Sequence, residues 1–90
     1  MIKMSVNELV FEVKEEILCY EQLGESKAEE WERKFNIWLK DKTIKKPNII
    51  EKGKLCYYCI EDESAVFDIV DEYLEAVENN KEEEYWKNFR

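Results

Sequence analysis

Two stretches of the chain carry the same helix-start chemistry, Ser5-Val6-Asn7-Glu8 and Ser26-Lys27-Ala28-Glu29. In each, a hydroxyl stands where a helix N-cap is wanted and a glutamate follows three residues later, the reciprocal arrangement of a capping box. Met4 and Leu9 bracket the first box as a hydrophobic staple. A helix is therefore expected from Ser5 to about Leu23, with Gly24 closing it in a left-handed conformation. A second helix is expected to open at Ser26 and reach about Lys40. So short a link makes the pair an antiparallel helical hairpin.

Apolar spacing fits this reading. Val6, Val10, Val13, Ile17 and Tyr20 recur at four- and three-residue intervals with Leu9 beside them. Ala28, Trp31, Phe35 and Trp38, with Leu39 adjacent, form the matching line on the second helix. Phe11 and Leu18 lie on another face of the first helix, next to Glu8, Glu12 and Glu15; one reading makes this acid-rimmed pair the centre of an interface, and the expected one packs it under the C-terminal aromatics. Stacking of nucleic-acid bases on Trp31, Phe35 and Trp38 is not expected, because the helical face that carries them lacks interleaved basic residues.

Pro47 and the lysine-rich segment before it stop the helical pattern. Residues 48–60, Asn-Ile-Ile-Glu-Lys-Gly-Lys-Leu-Cys-Tyr-Tyr-Cys-Ile, then read as a β-hairpin turning at Lys52-Gly53. Ile2-Lys3-Met4 has the composition for a third strand, but the hairpin is expected to stand without it. From Asp62 to Asn79-Asn80 a third helix is expected, with an acidic first turn and a core line of Val66, Ile69, Val70, Tyr73 and Val77. With Phe67, Leu74, Ala65 and Ala76 its apolar arc spans about 200°, enough for more than one neighbour. A short helix within residues 81–90 returns Tyr85, Trp86 and Phe89 to the core. The expected fold is α+β in one compact domain, residues 1–90: a helical hairpin, a β-hairpin as a small antiparallel sheet, then one long and one short helix.

Cys56 and Cys59 invite a metal or redox reading. On a strand, however, residues three apart point to opposite faces, so the two sulfurs share neither a metal nor a bond. The chain contains no histidine to complete a zinc set. All three cysteines, Cys19 included, read as reduced thiols, and Cys56 and Cys59 as small buried apolar residues. With no signal-peptide core in the first residues and no apolar run approaching the ~18 residues of a membrane span, the expected location is the cytoplasm.

Charge carries the functional reading. Net charge is −8, unfavourable for binding nucleic acid or anionic membranes and favourable for basic partners. Residues 40–54 hold six lysines against two acids, whereas residues 61–80 hold eight acids and no base. Asp68, Asp71, Glu72, Glu75 and Glu78 fill the arc of the third helix opposite its core line, with Glu61 and Asp62 near its start. One reading is a solvated face partly neutralised by the lysines of residues 40–54. The other is a partner-binding stripe that meets a basic protein, such as a nuclease or other nucleic-acid enzyme.

Catalysis is not expected, because histidine, a glycine-rich phosphate loop and an activated nucleophile are all missing from the sequence. No cofactor or metal is expected either. The function expected from these features is occupancy by a small acidic module, an inhibitor or immunity-type protein that neutralises a toxin or blocks a defence enzyme. The alternative is a winged helix-turn-helix-like regulator reading DNA with helix 26–40 and a wing at Lys52-Lys54.

Overall fold

Ser5 pairs with Tyr57 across a sheet and caps a helix at once: its Oγ accepts the Glu8 amide at 3.1 Å. Around this junction the computed structural model describes residues 2–20 and 24–90. In chain order these residues form β1 (Ile2–Ser5), α1 (Val6–Leu18), α2 (Gly24–Lys40), β2 (Ile49–Lys52), β3 (Leu55–Ile60), α3 (Ser64–Glu78) and α4 (Glu82–Lys87). The fold is α+β, with four helices and a three-stranded antiparallel sheet in the order β1-β3-β2.

Several boundaries differ from the sequence reading. Ile2-Lys3-Met4 does form a strand, because β3 is the central strand and offers β1 a full edge, with Ile2 opposite Ile60 and Met4 opposite Tyr58. The first helix stops at Leu18, where the Cys19 and Tyr20 amides bond back three residues to Glu16 and Ile17 and tighten the last turn. The remaining residues of its expected span, 21–23, lie outside the described residues. Gly24 takes the left-handed φ expected of it, +68°, but stands as the first residue of α2. The second capping box consequently falls inside a helix already begun, and the Ser26 hydroxyl makes no hydrogen bond among the described residues.

The hairpin turns one residue later than the pattern implied. Lys52 pairs with Leu55, so Gly53 and Lys54 are the two central residues. Gly53 has φ +61° and Lys54 does not take a positive value, the glycine-first pattern of a type II′ turn that suits strand twist.

The core gathers Leu9, Val13 and Ile17 of α1, Trp31 and Phe35 of α2, Val70 and Tyr73 of α3, and Phe89 beyond α4. Trp31 stacks on Phe35 with centroids 5.0 Å apart, and Phe89 meets Trp38 edge to face at 4.8 Å. Such pairs add about 0.5–1.5 kcal/mol each beyond the area they bury. The last aromatics therefore do return to the domain, as their spacing implied.

Strand parity divides the sheet. Met4, Ile49, Tyr58 and Ile60 turn toward the helices and join the core or pack against it. Lys3, Ser5, Ile50, Lys52, Leu55, Tyr57 and Cys59 share the opposite face, and none belongs to the core cluster. Cys56 and Cys59 thus lie on opposite faces, and all three cysteines are free thiols. Cys59 is buried beside Lys3 and the Asn48 backbone, Cys56 is half-buried, and Cys19 is exposed. No described helix is long and apolar enough to cross a membrane.

Candidate protein-binding surface

Asp62 sets where α3 begins. Its Oδ1 accepts the Ser64 amide at 2.9 Å and also the Ser64 hydroxyl. These two donors hold the Asp62 carboxyl below the usual aspartate range. Glu61, Asp62 and Glu63 consequently precede the helix; the acidic first turn expected from the sequence is a capping turn outside it.

Burial of Val66, Ile69, Val70, Tyr73 and Ala76 fixes the rotation of α3 and leaves Asp68, Asp71, Glu72, Glu75 and Glu78 exposed. Val77, expected to end that line, is only half-buried, and Ala76, expected to flank it, takes the deeper position. The carboxylates form two flanks. Asp68, Glu72 and Glu75, at intervals of four and three, line recesses floored by Tyr58 and Ile69. Glu84 of α4 and the ring of Phe89 border the same recess as Glu72 and Glu75. On the other flank, Asp71 accepts a hydrogen bond from the Tyr20 hydroxyl at 2.9 Å, which raises the phenol pKa. Glu78 lies seven residues from Asp71, on that same side.

Among the described residues, no Lys or Arg nitrogen lies within 4.0 Å of any of these five carboxylates. The ion pairs found are elsewhere: Lys14–Glu32 at 2.7 Å, Lys27–Glu30 at 3.2 Å and Lys27–Glu82 at 3.1 Å. Lys27 thereby ties α2 to α4, and the Glu82 bond is the main reason its pKa is raised. Burial opposes charge on Glu30, but the hydrogen bond and charge of Lys27 outweigh it and its pKa is lowered.

Two of the six lysines of residues 40–54 have neighbours other than α3. Lys46 donates to the carbonyls of Asp41 and Ile44 and sits 5.7 Å from the Trp38 ring centroid. Lys52 lies beside Lys3, which lowers its pKa. Lys81 and Arg90 border the recess at Glu72 and Glu75 without pairing within 4.0 Å.

Sequence reasoning did not find the recess itself. Glu84 stood in the sequence as part of the acidic run Glu82-Glu83-Glu84, but only folding α4 back on α3 brings it beside Glu72. Phe11 and Leu18 overturn an expectation: they do not pack under the C-terminal aromatics and are 61% and 51% exposed. Rotation of α1 toward Leu9, Val13 and Ile17 points them away from the core. Among the described residues, no cluster of three or more His, Cys, Asp or Glu is placed to hold a metal ion.

Comparison with known proteins returns no match, whether to family models, curated proteins or solved structures.

Proposed function

We propose that this protein acts by occupancy, docking the acidic flank of α3 on a basic surface of another protein. Of the partners this charge fits, a nuclease or other nucleic-acid enzyme fits best, since its substrate groove already holds rows of cations spaced for phosphates. The role is that of an inhibitor or immunity-type protein mimicking a phosphate backbone. One observation carries the reading: five exposed carboxylates along one helix have no cationic partner within 4.0 Å among the described residues. Like-charge neighbours at helical spacing cost stability, so such a row calls for a reason outside the fold.

The recess adds shape to charge. Tyr58, Ile69, Ala76 and Phe89 offer an apolar floor, with Glu72, Glu75 and Glu84 at its border. An arginine of the partner fits this chemistry, its aliphatic stem on the floor and its guanidinium against the carboxylates. Three free thiols suit a reducing compartment, the cytoplasm.

The winged helix-turn-helix alternative has less support. The exposed first turns of α2 carry Glu25 and Glu29, which repel phosphate. Capture of a partner from the native host tests the proposal, comparing the protein with a triple variant, Asp68→Lys, Glu72→Lys and Glu75→Lys. Asp71 is left intact because it anchors Tyr20. A basic protein held by the parent, released by salt and lost with the variant supports the reading. Equal capture by a folded triple variant overturns it.

A further inference from the structure

Two exposed faces of the molecule, neither of them on α3, match each other in chemistry. The outward face of the sheet is centred on Tyr57, with Ile50 directly opposite it on β2 and Ser5 opposite on β1. Lys3 and Lys52 flank Tyr57 on the two diagonals, and the Lys3 ammonium lies 4.9 Å from the ring centroid. Leu55 and Ile50 on this face are 60% and 38% exposed. The paired strand residues of this face include no acid, because Glu51 has the other parity.

The outward face of α1 has the inverse character. Phe11 and Leu18 form an apolar stripe seven residues long, and the exposed acids Glu8, Glu12 and Glu15 run along one side of it. The one lysine nearby, Lys14, is held by Glu32.

We infer that the α1 face of one copy docks on the outward sheet face of a second copy, Phe11 and Leu18 covering Leu55, Tyr57 and Ile50 while Glu8 and Glu15 meet Lys52 and Lys3. Dimensions agree: Phe11 and Leu18 are ~10 Å apart along the helix axis, and three strands at ~4.8 Å spacing present a face ~10 Å wide. An amphipathic helix on an open sheet face is the ordinary way such layers close. Juxtaposing Lys3 and Lys52 lowers the Lys52 pKa, and an incoming carboxylate relieves that repulsion. Neither face includes an α3 residue, so the acidic flank stays open and this inference stands apart from the proposed function.

So small a contact gives weak association, with Kd of about 100 µM. Sedimentation equilibrium from about 10 µM to about 1 mM reads it directly, at low and high salt. The expected result is a concentration-dependent increase in mass that salt weakens. Two surface variants assign the faces: Lys3→Glu with Lys52→Glu, and Glu8→Lys with Glu15→Lys. Each alone should weaken self-association at least about tenfold. Mixed together they should associate again, because each supplies the charge the other lacks. A chain that stays monomeric throughout, self-association indifferent to either variant, or a mixture that fails to associate overturns the inference.

Discussion

The Trp31 indole donates to the Tyr85 hydroxyl at 3.1 Å, joining the centre of α2 to α4 through the middle of the core. The Tyr85 hydroxyl in turn donates a hydrogen bond to the Ile69 carbonyl of α3 at 3.0 Å, so three helices share one phenol. Burial, the largest influence, drives the Tyr85 pKa far above its ordinary value, and the indole hydrogen bond only partly offsets it.

Tyr85→Phe should cost about 1–3 kcal/mol, because the Trp31 donor is left unsatisfied. The same group sets an alkaline limit. Above about pH 10 tyrosines of the unfolded chain lose their protons while Tyr85 and Tyr73, both raised by burial, keep theirs. The unfolded state then binds fewer protons, and stability falls as pH rises. Urea unfolding between about pH 8 and pH 11 should show that fall. The phenylalanine variant should show a shallower one, having lost the Tyr85 contribution while Tyr73, Tyr58 and Tyr20, whose values are also raised, keep theirs; equal slopes would contradict the assignment.

Ser5→Ala should destabilise by about 1 kcal/mol, since it removes the acceptor of the Glu8 amide. Ser26→Ala should be neutral to slightly stabilising, because Ser26 lies within α2 and alanine is the better helix former. Thermal unfolding of both variants compares the two serines, and equal losses would restore Ser26 as a cap.

Glu72→Gln and Glu75→Gln should each raise stability by about 0.2–0.5 kcal/mol by relieving like-charge neighbours. The gain should shrink at about 1 M salt, where screening is nearly complete. Asp71→Ala should instead lower stability, through loss of the Tyr20 hydrogen bond. Denaturant titrations at two salt concentrations distinguish these opposite signs.

Thiol labelling should be fastest at Cys19, slower at Cys56 and slowest at Cys59, following their exposure. Mild oxidation should leave Cys56 and Cys59 unbridged in the folded chain, as mass spectrometry of the non-reduced protein would show.

Much of this architecture was legible where the determining chemistry is local. The Ser5 cap, the periodic faces of Val10-Val13-Ile17 and Trp31-Phe35-Trp38, and the opposed parities of Cys56 and Cys59 each follow from a few neighbouring residues. What escaped depends on distant partners. Ile2-Lys3-Met4 becomes a strand only because β3 presents an open edge to it. Ser26 has the composition of a cap, yet α2 has already begun at Gly24. For the candidate surface, the exposure of Asp68, Glu72 and Glu75 followed from helical spacing. Its recess, with Tyr58 beneath and Glu84 beside, required α4 to fold back and had no local signal. Helical spacing already set Phe11 and Leu18 off the core line, but that no other described element would cover them had no local signal.

Ser5 is both the final rung of β1 and the residue from which α1 hangs, with no linker between strand and helix. Slack is therefore missing at this joint, and tension on the strand passes straight into the first helical turn. Amide protons of Met4 and of Leu9 should accordingly show one shared degree of protection from solvent exchange, because that part of the chain opens as a unit or stays shut.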